Sequence, residues 1–130
     1  MKKYILLPLL IMLNINLYAT HAAGMDIAYE CISSGTNSDT YKITLKFYRD
    51  CEGISNWGTL YLEYSSSCSS GSTALTQVGS SLNINPACLS FCNGGNSLGI
   101  EQYTYETTIT LSKCSDWVLS VCEAARNNAI

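Results

Sequence analysis

The sequence predicts an all-β fold: an antiparallel immunoglobulin-like sandwich stapled by disulfides and preceded by a signal-peptide helix. Three observations predict it. Apolar and polar side chains alternate with a period of two in at least five segments, and no comparable stretch beyond the amino terminus repeats every 3.6 residues. Gly, Asn, Asp and Ser clusters separate those segments at roughly even spacing. All seven cysteines, from Cys31 to Cys122, lie in this β-patterned region.

The amino terminus has a different character. Lys2 and Lys3 precede an apolar run over residues 4–13 that is broken only by Pro8, and small residues follow at 19–24. This order matches a cleavable secretory signal. The apolar run is too short for a membrane anchor, which needs roughly 20 residues. The expected division is a signal peptide over 1–19, with cleavage as late as 22, and a single domain over 20–130. The expected location is therefore secreted or cell-surface, with no stable membrane span after cleavage.

Of the 130 residues, seven are basic and ten acidic, for a net charge of −3. Loss of Lys2 and Lys3 leaves five basic side chains (Lys42, Lys46, Arg49, Lys113, Arg126) against the same ten, a net charge of −5. A nucleic-acid or anionic-membrane surface needs clustered Lys and Arg, so both are excluded as expected partners.

Along the chain, residues 26–32 alternate, with Ile27, Tyr29 and Cys31 on one face. A polar turn is expected over 33–40. Residues 41–48 give the clearest strand: Tyr41, Ile43, Leu45 and Phe47 oppose Lys42, Thr44, Lys46 and Tyr48, the pattern of a half-buried antiparallel strand. Residues 49–58 read as a loop. Residues 59–64 place Leu60, Leu62 and Tyr64 inward, and a serine-rich loop is expected over 65–72. Residues 74–84 form a weaker strand broken near Gly79. The irregular stretch 85–99 requires a clamp or a function. Residues 101–111 form a long strand, and Trp117, Leu119 and Val121 close the pattern, with a helical turn possible in the tail over 123–126. The expected core is Ile43, Leu45, Phe47, Leu60, Leu62, Ile109, Leu111 and Trp117.

The disulfide candidates are Cys31, Cys51, Cys68, Cys88, Cys92, Cys114 and Cys122. An odd count predicts three bridges and one thiol left over, Cys122 or Cys68, with the pairing open. Zinc is disfavoured because the closest spacing is Cys88-x3-Cys92 and His21 is the sole histidine.

No catalytic, metal or cofactor site is expected. A Ser or Cys nucleophile lacks a histidine partner other than His21, beside the cleavage site. His21 near a new amino terminus could chelate copper or nickel, but such a site wants a second histidine. Glu101 and Glu106 are an odd step apart on one strand and so fall on opposite faces. Asp50 and Glu52 flank Cys51 without the regular spacing of a calcium loop. The outward aromatics Tyr48, Trp57 and Tyr61 form the expected interaction surface, because aromatic rings offer large contact area at low entropic cost. The competing account is simple β propensity. Trp117 and Arg126 are expected to be structural, the first covering a bridge at Cys114 and the second pinning the tail to Asp50 or Asp116.

Several blocks occur in a particular order: Ala19-Thr20-His21, Gly24-x-Asp26-Ile27-x-Tyr29-Glu30-Cys31, Tyr41-Lys42-Ile43-Thr44-Leu45, Tyr48-Arg49-Asp50-Cys51, Pro86-x-Cys88, Gly99-Ile100-Glu101-x-Tyr103-x-Tyr105, Cys114-x2-Trp117 and Arg126-Asn127. Together they resemble the amino-terminal region of large Bacteroidetes surface proteins that continue into immunoglobulin-like repeats and end in a gliding-motility-associated, type IX secretion sorting domain. The chain departs from that pattern where Gly24-Met25 stands in place of Gly-Gly. The resemblance implies cleavage after Ala19 and a non-catalytic, adhesin-like module, the amino-terminal piece of a longer protein. Its implied partners are other surface proteins, neighbouring domains of that chain or glycans. The expected alternative is a secreted carbohydrate-binding or carbohydrate-active protein using Trp57, the tyrosines and Glu101.

Overall fold

Alternation alone requires a sheet with one apolar face, and that face must find a cover. The computed structural model, which describes residues 22–51, 59–84 and 99–122, meets this requirement with seven strands. They are β1 (Ala22–Ser34), β2 (Ser38–Asp50), β3 (Leu60–Ser65), β4 (Ser70–Gln77), β5 (Leu82–Asn83), β6 (Ile100–Ser112) and β7 (Val118–Ser120), with no helix among the described residues. Every pairing is antiparallel. The order is β1-β2-β6-β4-β3-β7, with β5 beside β6, in one sheet that curls as a half-barrel. Continuity comes from β4. Its first part pairs with β3, while Thr76 and Gln77 cross to pair with Glu106 and Tyr105 of β6.

The curl folds one limb (β1, β2, β6) over the other (β3, β4, β7). Ile43, Leu45 and Phe47 of β2 meet Tyr105, Ile109 and Leu111 of β6, Leu60 and Leu62 of β3, and Leu75 of β4. Phe47, Ile43 and Leu62 are fully buried. Tyr41, Tyr64, Tyr103, Trp117, Leu119 and Val121 pack around this cluster half-buried. Seven of the eight expected core residues are thus buried, and Trp117 is at the margin.

Three expectations need correction. The turn expected over 33–40 is confined to residues 35–37, because Ser33 and Ser34 pair with Thr40 and Asp39. Arg49 and Asp50 are in β2 rather than in a loop, and Arg49 is buried. Pairing with β6 runs on as far as Asp50 opposite Ile100, which overrides the polar sequence. Similarly, β4 begins at Ser70, inside the expected serine-rich loop, because Ser70–Leu75 has a complete partner in β3. Gly71 makes that pairing possible: a Cβ there would meet the Tyr64 hydroxyl at 2.5 Å, so the Tyr64 ring lies over the glycine opposite. The expected break near Gly79 is real. Gly79 has φ of +69° and turns the chain from β4 to β5.

β1 differs from the other long strands. Its register with β2 puts Met25, Ile27, Tyr29 and Cys31 opposite Phe47, Leu45, Ile43 and Tyr41, on the core side of the sheet. Even so, Ile27 and Tyr29 are exposed, the latter to 71%. The covering limb is too small to reach them: β3, β4 and β7 have six, eight and three residues, while β1, β2 and β6 have thirteen each. This difference yields a stability test. Phe47→Ala should lower the unfolding free energy by about 3–5 kcal/mol through lost burial and a residual cavity. Tyr29→Ala should change it by less than about 1 kcal/mol. Urea denaturation of the two variants measures both.

Candidate interaction surface

The short covering limb leaves an opening between the sheet's two end strands. Ile27 and Tyr29 of β1 form one wall, Trp117 and Leu119 the other, and Tyr41 and Leu111 the floor. Cys114 and Ser115 also line this groove, whose volume is about 400 Å³. Tyr29 and Tyr41 meet edge to face, with ring centroids 6.1 Å apart and planes at 75°. Across the groove, Trp117 packs 6.1 Å from Tyr64 at a tilt of 59°. Its indole Nε1 donates a 3.0 Å hydrogen bond to the Ser112 carbonyl. The indole is thus held by a ring on one side and the backbone of β6 on the other. Such fixed aromatic surface can bind a partner at little entropic cost.

The Cys68–Cys114 disulfide anchors this wall. It joins the turn before β4 to the residue two past β6, and a 46-residue separation gives loop closure an upper worth of about 4 kcal/mol. Cys114 and Trp117 line the same groove, which fits a tryptophan beside a bridge. The bonded turn is braced further: the Ser67 amide donates to Asp116 Oδ2 at 2.8 Å. That bond is the main cause holding the Asp116 carboxyl below its ordinary range. Cys51 is disulfide-bonded as well. The expected single free thiol is corrected. Cys68 is bridged, and Cys31 and Cys122 are both free and exposed. Cys31 is on an uncovered strand face with no cysteine opposite, since its cross-strand neighbour is Tyr41.

Two of the three aromatics of the expected interaction surface are described, and they stand on different strands. Tyr48 is half-buried on the outward face of β2, and its hydroxyl donates to Asp26 Oδ2 at 3.0 Å. Burial first, and then that hydrogen bond, push its pKa up. Tyr61 is 56% exposed on β3, with β6 and β4 between it and β2 in the sheet order. Trp57 lies outside the described residues, as do the signal segment, His21, Glu52, Cys88, Cys92 and Arg126. The groove aromatics Tyr29, Tyr41 and Trp117 were legible as strand residues, but alternation carries no signal that the limb facing them ends early.

The carboxylates separate as their odd spacing requires. Glu106 pairs with Lys42 at 2.9 Å on the outward face. Glu101 faces inward at one end of the core, where Arg49 Nη2 donates to its Oε2 at 2.5 Å. Tyr103 Oη donates to the same oxygen at 3.0 Å, and Ser81 Oγ donates to Oε1 at 3.2 Å. Burial pushes the Glu101 pKa up, but the bonds from Arg49 and Tyr103, the Arg49 charge and Ser81 outweigh it and hold it below 4.5. A carboxylate so held is an anion at neutral pH, suited to neutralising Arg49 and unsuited to donating a proton. At the other end of β2, Lys113 pairs with Asp39 at 2.8 Å, and Ser34 donates to the same carboxylate at 2.6 Å. Among the described residues no three His, Cys, Asp or Glu side chains converge as a metal site. Comparison with known protein families, curated proteins and solved structures finds no match to this chain.

Two tests follow from these contacts. Because the folded-state pKa of Glu101 is depressed, its ionised form contributes stability above the unfolded value, and that contribution is lost as pH falls through the folded value. Glu101→Gln should therefore be less stable than wild type by about 3 kcal/mol at pH 7, since it removes the carboxylate bonded to the buried Arg49 guanidinium. The gap should narrow in acid, below the ordinary glutamate value of 4.5. Denaturant unfolding across that pH range measures it. Separately, alkylation of the native chain followed by peptide mapping should modify Cys31 and Cys122 and spare Cys68 and Cys114. The double variant Cys68→Ser/Cys114→Ser should lose about 2–4 kcal/mol.

Proposed function

We propose that this chain is a non-catalytic, secreted or cell-surface interaction module, the amino-terminal domain of a larger adhesin-like surface protein. It acts by holding another surface protein, a neighbouring domain of its own chain or a glycan. The observation that carries this reading is the open groove walled by Tyr29 and Trp117 and floored by Tyr41. Monomeric proteins seldom leave large apolar patches without a binding role. Export through a signal peptide over 1–19 fits the Cys68–Cys114 bridge, since disulfides persist in oxidising compartments. The ordered blocks shared with Bacteroidetes gliding-motility-associated surface proteins support the same assignment. Within this reading the fold is an immunoglobulin-like sandwich whose limbs remain joined through β4. The supporting fact is that β2 and β6 contribute core side chains from one limb and β3 and β4 from the other.

The second reading is a secreted carbohydrate-binding protein, favoured by the exposed ring of Tyr29 and the indole of Trp117 in one groove. Beads coated with the oxidised chain distinguish the two. Saturable adhesion to cells of the source bacterium, lost on protease treatment of those cells, is the expected result. Adhesion that resists protease but is competed by free glycans transfers the role to sugar binding. Beads that adhere no better than albumin-coated controls defeat both.

A further inference from the structure

We propose that β1 and the adjoining groove accept an extended segment of a separate partner chain as an added β-strand, with apolar side chains at alternate positions and basic ones between. The proposal rests on the interaction-module reading and names its surface and partner chemistry.

Among the described residues β1 ends the sheet and pairs with β2 alone. Its bulges, between Ala22 and Gly24 and between Cys31 and Ser33, bracket a regular stretch of eight residues. That is about 27 Å of edge with backbone groups available to a new strand. Proteins usually blunt such edges with charged side chains (Lys above all), Pro, bulges or a covering element, and here the bulges fall only at the two ends of the stretch. This stretch, Gly24 to Cys31, contains neither Lys nor Pro. Its core-side face is instead apolar and uncovered, with Ile27 and Tyr29 continuous with the groove. β7, on the other side of the opening, is also an end strand. A strand laid along β1 would thus send every second side chain over the groove, as in β-strand addition.

Charge selects the residues between. Asp26 and Glu30 occupy the outward face of the same stretch. Lys42, opposite Glu30, is drawn to Glu106 at 2.9 Å on its other side, and Glu30 has no ion pair among the described residues. A strand with Lys or Arg on that face would place cations opposite both acids. A second copy of this chain fits poorly. Side chains must match face to face, so the antiparallel registers that overlap most are centred on Ile27 or Ala28. These bring Asp26 diagonal to, or directly opposite, Glu30 of the other copy, and like charges so placed are destabilising.

The test uses the full oxidised chain and fluorescent peptides of about ten residues, long enough for one strand. One alternates Val and Lys, one alternates Val and Glu, and a third has the Val/Lys composition in blocks. The alternating Val/Lys peptide should bind saturably and slow amide hydrogen exchange in Gly24 to Cys31. The other two should bind at least about tenfold more weakly, which is about 1.4 kcal/mol. Ile27→Ser, at an exposed position, should weaken binding by a similar factor, and Glu30→Lys should reverse the preference between the Lys and Glu peptides. Equal binding of the block peptide, protection outside β1, or self-association of the chain through β1 overturns the proposal. If beads carrying the chain still adhere to cells while no peptide binds, this inference falls and the interaction-module reading stands. If both fail, both fall.

Discussion

The pairing of β2 with β6 is the constraint on which the rest of the molecule depends. Thirteen residues of each strand pair without a bulge, from Ser38 opposite Ser112 to Asp50 opposite Ile100. Odd-numbered residues therefore share one face throughout: Tyr41 with Ile109, Leu45 with Tyr105, Phe47 with Tyr103 and Arg49 with Glu101. A slip of one residue would turn the whole apolar set outward. It would also break the buried bond of Arg49 to Glu101, at a further cost. The ion pair thus adds register specificity to a fold whose drive is apolar burial.

From that ladder the mouth of the half-barrel follows. β2 is long enough to carry a thirteen-residue β1 on its other edge, yet the limb that covers them is built of shorter strands joined through the crossing of β4. The part of the sheet nearest β6 becomes core and the part farthest from it remains wet. Trp117 stands at that boundary, tied to the Ser112 carbonyl and stacked near Tyr64, and the Cys68–Cys114 bridge holds its segment against the turn before β4.

Much of this was legible in the sequence. Period-two alternation located β2, β3 and β6, chose the inward residues Ile43, Leu45, Phe47, Leu60, Leu62, Ile109 and Leu111, and separated Glu101 from Glu106. The misses share a cause: each depended on what lay across the sheet. Arg49 reads as a loop residue until Glu101 stands opposite, and Ser70 until β3 does. Alternation put Ile27 and Tyr29 on one face with Cys31, but it records the phase of a face and not the extent of its cover. For the same reason alternation alone did not separate Tyr48 from Tyr61. They share an outward disposition, but β6 and β4 stand between their strands.

The long-range ladder also orders events in time. Asp50 and Ile100 are the closest β2–β6 pair in sequence, and fifty residues separate them. A nascent chain can close the β1–β2 hairpin early, but that hairpin has two open edges and bares Ile43, Leu45 and Phe47 until Ile100–Ser112 arrives. Such non-local closure is slow, and the waiting hairpin is the species most prone to aggregate or to need a chaperone. Cys114 follows β6 by two residues, so its bond to Cys68 requires the carboxyl-terminal end of that strand to be made and brought near. Oxidation of this pair therefore comes late and, by tying the end of β6 to the opposite limb, locks the assembled state.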